Sequence, residues 1–406
     1  MKILVLNSGS SSQKSALFEL GDSLPQNPPT PLWEANIEWG ANSASLRVRT
    51  SRGATEQKTT AKDRQAAVEC MLQALWSGGA QVIANRSEIA VVGHRVVHGG
   101  HKLEEAAVVT PEVKKVIASM AVFAPLHNRA ELEGIEIIER LVGKVRQVAV
   151  FDTGFHHTLP LPAALYPGPY EWLQQGIRRY GFHGINHEYC AHRAAQLLGR
   201  DLNTLKIVSC HLGNGCSLAA IEGGKSVDTT MGFTPLDGLM MGTRSGSVDP
   251  GILTYLMRQG SVTGKDLDDI LNQKSGLLGV SGISGDMREI LAAIREGNDR
   301  AKLAFETYVH RLQSGIGAMA AVLGGLDVLV FTAGVGEHSP EVRAATCNTL
   351  GFLGVSLDPE RNGKSPADEE ISTPGSDVKV LIIRAQEDWA IAQACWKIAR
   401  GKAGTG

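Results

Sequence analysis

Paired cysteines, long apolar runs and an excess of either charge are all missing from this chain of 406 residues. Cys70, Cys190, Cys210, Cys216, Cys347 and Cys395 lie scattered with no C-x-x-C pair. That pattern excludes a disulfide framework and a structural zinc site, and it points to the reducing cytosol. No stretch of about 18 uninterrupted apolar residues occurs. The richest, 316–330, is broken by glycines and carries Asp327. With 40 Lys and Arg against 42 Asp and Glu, the net charge of −2 offers no basic surface for nucleic acid or an anionic membrane. The first residues hold one lysine and a short apolar run, which reads as a strand rather than a signal peptide.

Several catalytic signatures are absent as well. There is no Walker A sequence, since Gly224-Lys225-Ser226 lacks the upstream glycine, no G-x-G-x-x-G fingerprint and no G-x-S-x-G elbow. His187 and His192 imitate a zinc-protease pair but stand five apart, which rotates the second imidazole off the shared helix face.

What remains is the composition of a soluble globular protein, 43% hydrophobic and 20% charged. The length predicts about two or three domains. Short apolar runs at 89–100, 145–156, 205–221 and 326–339 end in glycine-rich turns and alternate with helical patterns. Phe305, Val309, Leu312, Ile316 and Met319 step by four, three, four and three, as on one helix face. Strands alternating with helices imply α/β layering. Residues 21–50, with four prolines, read as an irregular excursion, and 359–374 as a polar, turn-rich stretch before a last strand at 378–383 and a closing helix.

Two segments share a plan. "ILVLNSGSSSQKSALFEL" and "KIVSCHLGNGCSLAAIEGG" each run from an apolar strand through a turn of Asn, Gly and Ser into a second apolar strand. Such turns expose backbone N–H groups to anions, phosphate above all. Taken singly, each also reads as an ordinary hairpin. As a pair, about two hundred residues apart, they suggest a duplicated domain presenting two turns to one phosphate chain. In "TAGVGEHSP", Gly334 and Gly336 let backbone approach a flat ligand such as a nucleobase or ribose, with Ser339 and Pro340 as N-cap and first residue of the next helix. A plain strand–helix turn is the competing reading.

Ionic groups flanked by glycine complete the inventory: Arg95, Asp152, His183 and Arg244, each expected on a turn after a strand. Two arginines, a histidine and an aspartate suit phosphoryl transfer, in which cations neutralise the equatorial oxygens and a carboxylate handles the acceptor. Asn7 and Glu387 would supply oxygen ligands to Mg²⁺, which takes few protein ligands and several waters.

Taken together, "LVLNSGSSSQK", "GHRVVHGG", "FAPLHN", "FDTGFH", "RRYGFHG", "HLGNG", "GFTPLDGLMMGTRSGSVDPG" and "FTAGVGEH" resemble the acetokinase family, within the actin, hexokinase and Hsp70 superfamily. The resemblance spans essentially the whole chain in the same order. It implies two duplicated actin-like (ribonuclease H-like) α/β domains around a central cleft, residues 1–151 with 385–406 and residues 152–384, the second binding nucleotide and contacting a partner in a homodimer. It implies reversible, direct in-line transfer from ATP to acetate, giving acetyl phosphate, with Mg²⁺ (or Mn²⁺) as cofactor, in the cytoplasm and with no nucleic-acid or membrane partner. Asp152 would handle the proton beside the acetate carboxyl, Arg95 would bind the carboxylate, and His183 and Arg244 would stabilise the phosphoryl group in flight. Val97, Leu126, Phe182 and Pro235 would form the methyl pocket, and His127 would assist near the phosphoryl group. Asn7 and Glu387 would hold the metal. Lys14, then His211, Leu212, Gly213, Asn214 and Gly215, then Asp286, Met287 and Arg288, then Gly334, Val335, Gly336, Glu337 and His338 would bind ATP.

The chain departs from the family pattern at Arg129, where proline is common, at His338, where asparagine is usual, and at "RAQED" before the late glutamate. A propionate or butyrate kinase is the alternative within the class, and Val97 is a vote for the smaller acid. A sugar- or nucleotide-binding regulator that lost catalysis is disfavoured by the complete ionisable set. The length leaves no room for the added peptide-binding domain of a chaperone or the assembly surface of a filament protein.

Overall fold

The computed structural model describes residues 1–8, 12–39, 44–59, 64–122, 125–260 and 262–401. The tip of the first glycine–serine turn, residues 9–11, lies outside them. Two compact units emerge: Met1–Gly154 with Gln386–Gly406, and Phe155–Ala385.

The first unit is built on an eight-stranded sheet among the described residues. Its strands are β1 (Lys2–Ser8), β2 (Ser12–Glu19), β3 (Trp33–Trp39), β4 (Ala44–Thr50), β5 (Gly53–Thr59), β6 (Ile89–Val96), β7 (Ala107–Val108) and β8 (Arg146–Phe151), in the order β5-β4-β3-β2-β1-β6-β8-β7. Strand β1 pairs antiparallel with β2 and parallel with β6, which pairs parallel with β8. The excursion expected over 21–50 is instead mostly sheet. Its four prolines all fall before Trp33, and Trp33, Ala35, Ile37, Leu46 and Val48 then point inward at every second position. They pack with Leu4, Leu17 and the helix Arg64–Gln73 in one core.

The helix Glu387–Ala399 returns from the far end of the sequence to lie on this sheet. A Cβ on Gly93 would stand 2.6 Å from both Cys395 Sγ and Ile391 Cγ2, so only glycine admits the helix so close to β6. Trp389 is buried against Phe18, with ring centroids 5.7 Å apart.

The second unit repeats the plan. Strands β9 (Lys206–Leu212), β10 (Cys216–Glu222), β11 (Lys225–Thr229), β12 (Val328–Thr332), β13 (Glu369–Glu370) and β14 (Lys379–Ile382) take the order β11-β10-β9-β12-β14-β13. The pairing senses match those of β3-β2-β1-β6-β8-β7 at every step: two antiparallel ladders, two parallel ones, then an antiparallel edge. The duplication read from the two strand–turn–strand segments is therefore present in the topology. The helix Asp299–Leu323 buries Val309, Leu312, Ile316 and Met319, with Phe305 half-buried on the same stripe. The stretch 359–374 contributes a short helix, Pro359–Lys364, and edge strand β13.

All six cysteines are free thiols, and burial pushes those of Cys190 and Cys347 up to about 12. Among the described residues, no helix is long and apolar enough to cross a membrane.

Candidate active site

In the first unit, the acceptor candidates converge on the ends of β1, β6 and β8. Of the four ionic groups expected on turns after strands, Asp152 directly follows β8 and Arg244 lies in the long loop after β11. Arg95 lies within β6, where its exit from the sheet is fixed by the ladder to Val150. Arg95 Nη2 donates to Asp152 Oδ2 at 2.6 Å, and Nη1 donates to the Ser8 carbonyl at 3.3 Å. Asp152 is 1% exposed at its side chain and Arg95 12%. Burial alone would pull the Arg95 guanidinium down, but the negative charges of Asp152, Glu387 and Glu131 hold it above its ordinary value.

Next to Arg95, Val97 is buried, and its backbone N–H donates to both Glu131 oxygens, at 3.2 and 3.1 Å. The side chains of Leu126 and His127 lie outside the described residues. Asn128 beside them is fully buried and donates to the carbonyls of His98 and Ile117, whereas Arg129, where the family has proline, is exposed.

Asn7 lies one residue before the end of β1, and its Nδ2 donates to Glu387 Oε2 and to Asp388 Oδ1, each at 3.0 Å. An amide and two neighbouring carboxylates form an oxygen-rich set suited to a hard divalent cation that keeps most of its waters. Burial raises the Asp388 carboxyl above its ordinary value. Among the described residues, no group of three or more His, Cys, Asp or Glu could hold a metal ion. Lys14 stands opposite Asn7 in the β1–β2 ladder, the one nucleotide candidate in this unit.

In the second unit, His183 opens the helix Gly184–Leu198 from a left-handed backbone conformation, φ 57°. A non-glycine residue there is strained, and strain persists where surrounding bonds over-determine it. His183 Nδ1 shares a hydrogen bond with Ser217 Oγ at 2.9 Å, and its ring stacks on His211 with centroids 3.9 Å apart. Ser217 Oγ in turn meets His187 Nε2 at 2.8 Å, and His187 Nδ1 meets Ser209 Oγ at 2.9 Å. Both ring nitrogens of His187 are thus engaged by serine hydroxyls, and burial holds the ring well below its ordinary value, as a neutral, hydrogen-bonded core residue.

Arg244 lies in the long loop between β11 and the helix Pro250–Arg258, where its Nη1 donates to the Pro235 carbonyl at 3.0 Å. Burial lowers its pKa from the ordinary value. A Cβ on Gly215 would stand 3.4 Å from His183 Cε1 and 3.5 Å from Arg244 Nη1. The glycine turn thus brings the imidazole and the guanidinium together. Phe182 is buried one residue before His183.

The nucleotide candidates of this unit also assemble. His211 pairs with Thr332 in the parallel β9–β12 ladder, and Gly213 faces Ala333. Gly242 accepts no side chain because Asn214 and the Gly285 carbonyl crowd it, which binds the 211–215 turn to the 285–288 segment. Asp286 caps the helix Met287–Arg295 and pairs with Arg288, whose side chain is 90% exposed. The glycine turn expected over 334–338 is a six-residue helix, Ala333–His338, entered through Ala333 at φ 65°. Ser339 makes no capping hydrogen bond, because its Oγ turns to Glu341 instead.

Three charges were not among the sequence candidates: Glu131 and Arg343, which are buried, and Asp388, which is half-buried. Arg343 is fully buried and donates to the carbonyls of Gly336 and Glu337 at 2.8 and 2.9 Å, which anchors the end of the glycine helix. Asp388 had one visible signal, adjacency to Glu387.

Comparison with known proteins bears on this arrangement. The profile of the acetokinase family matches residues 2–393. The chain belongs to the acetokinase family. It is 60% identical to an acetate kinase of Gloeobacter violaceus, over 98% of this chain and 100% of that one. Among solved structures, an acetate kinase of Porphyromonas gingivalis is 41% identical and superposes with a TM-score of 0.89, over 98% of this chain and 99% of that one. A propionate kinase from Francisella tularensis is 35% identical, also at a TM-score of 0.89 and with the same coverage of both chains.

Proposed function

We propose that the chain transfers the γ-phosphoryl group of ATP to acetate, reversibly, giving acetyl phosphate and ADP. The observation that carries the reading is the buried Arg95–Asp152 pair at the strand ends of the first unit, 2.6 Å apart, in a chain whose residues 2–393 match the acetokinase family. A propionate or butyrate preference is the weaker alternative, since the relative at 60% identity is an acetate kinase and the propionate kinase stands at 35%.

Arg95 binds the acetate carboxylate through its guanidinium and Asp152 holds the proton at the reacting oxygen. Val97, with Leu126, Phe182 and Pro235, receives the methyl group. His183 and Arg244 donate hydrogen bonds and positive charge to the oxygens of the phosphoryl group as it moves. Arg244 is worth more for being half-buried, because a lower local dielectric strengthens its field. Lys14, the 211–215 turn, 286–288 and 334–338 bind the triphosphate and adenosine. Asn7 and Glu387, with Asp388, hold Mg²⁺. When bound, that ion supplies charge neutralisation on the phosphates.

The enzyme works in the cytoplasm as a homodimer. Exposed Ile252, Tyr255 and Met257 on the helix Pro250–Arg258 support self-association, which sedimentation velocity tests. The reaction is tested by trapping acetyl phosphate as hydroxamate from acetate, ATP and Mg²⁺, then by kinetics across two-, three- and four-carbon acids. A kcat/KM for butyrate above that for acetate, or no hydroxamate, overturns the assignment.

A further inference from the structure

Glu131 lies on the helix Pro125–Leu141, is 2% exposed and belongs to no part of the chemistry above. Its two oxygens are the acceptors for the Val97 N–H. The neighbouring backbone is pinned on other sides: the Val96 carbonyl accepts the Asp152 N–H at 2.8 Å, and the Gly99 N–H donates to Thr153 Oγ1 at 3.2 Å. Glu131 therefore holds the one amide between the carboxylate-binding arginine and the rest of the pocket wall.

The same carboxyl sits within electrostatic reach of Arg95 on β6, Asp152 after β8 and Arg64 on the helix Arg64–Gln73. His98, one residue past Val97, is pushed down to about 4 by burial and contributes no charge near neutrality. With Asp152 ionised, Arg95 is already balanced. Ionising Glu131 adds a second negative charge, which Arg64 offsets only in part and which an arriving anion meets.

We propose that Glu131 is a positioning residue that holds the Val97 amide at the acetate pocket and, through its charge, sets how strongly the site takes a carboxylate. Burial raises the Glu131 carboxyl to about 8, against the pull of Arg95 and of the Val97 hydrogen bond. It is neutral at lower pH and accepts from Val97 without adding charge. As pH rises through that value the carboxyl ionises and opposes acetate. The inference rests on the placement of acetate at Arg95.

The test is the pH profile of the acetate KM at saturating Mg-ATP, from about pH 6.5 to 9.5, for the parent chain, Glu131→Gln and Glu131→Ala. An acid titrating near 8 whose ionised form excludes acetate raises KM about tenfold between pH 7 and 9. Glu131→Gln keeps an acceptor for Val97 and cannot ionise, so its KM stays flat, with kcat and the ATP KM within about twofold of the parent. Glu131→Ala raises the acetate KM at every pH. A Gln profile parallel to the parent, or a flat parent profile, overturns the charge role. An Ala variant equal to the parent below pH 7 overturns the positioning role. Should the Ala variant fail to fold, the Gln comparison decides. Arg95→Ala separates the two readings: an unchanged acetate KM at pH 7 removes acetate from Arg95, whatever Glu131 does.

Discussion

Removing the Asp152 carboxylate strands a guanidinium that is almost wholly enclosed, and the size of that effect can be worked from the structure. The pair is 2.6 Å apart, with side-chain exposures of 12% for Arg95 and 1% for Asp152. Breaking a buried pair by deleting one partner costs about 3–5 kcal/mol, since the survivor is left desolvated and unpaired. For a unit of 150–250 residues, each kcal/mol shifts Tm by about 2–4 °C, so Asp152→Ala is expected to lower the melting of the first unit by about 6–20 °C. Deleting both partners relieves the stranded charge, so Arg95→Ala/Asp152→Ala melts above the Asp152→Ala single variant. Neither has phosphotransferase activity. Scanning calorimetry of the three variants measures the stability terms, and hydroxamate formation measures catalysis. A shift under about 2 °C in Asp152→Ala, or a double variant equal to the sum of the singles, refutes the claim that this pair is energetically coupled.

Arg244→Ala lowers kcat by about 10²–10³ with a smaller change in the ATP KM, because its charge is needed where negative charge develops; equal losses in both would assign it to ground-state binding. Glu387→Gln raises the Mg²⁺ concentration required for half-maximal rate while leaving the melting profile of the second unit unchanged, and an unaltered Mg²⁺ dependence removes Glu387 from the metal. The buried His94, its Nε2 2.7 Å from Gln147 Oε1, is pushed down to about 4, so the folded chain binds fewer protons than the unfolded chain between about 4 and 6.5. Its stabilisation is complete above pH 6.5 and fades as pH falls toward 4. His94→Gln therefore flattens the acid limb of the Tm–pH curve, and a limb of unchanged slope contradicts the assignment.

The duplicated hairpins were legible because each alternates strongly apolar strands with a compact glycine turn, a local signal that survives without tertiary context. Strands β3 and β4 were not, since four prolines precede them and their outward positions carry Glu34, Asn36, Arg47 and Arg49, which dilute the apolar face. The site was legible as residue types flanked by glycine. Its local geometry was not: Arg95 is held by a parallel ladder formed with residues more than fifty positions away, and His183 by a strained helix start. Glu131 and Arg343 lie outside the glycine-flanked motifs, and nothing in the sequence sets them apart from other charged residues. Only packing reveals that Arg343 is fully enclosed and supports the carbonyls of Gly336 and Glu337.

Asn7 and the carboxylates it touches, Glu387 and Asp388, stand 380 and 381 residues apart in sequence. While the ribosome makes residues 155–385, the sheet that begins with β1 waits without the helix that will cover Gly93 and enclose Trp389. A nascent chain must therefore shelter those strands through the synthesis of an entire second unit, and a product cut short before residue 386 has neither a sealed core nor its late carboxylates.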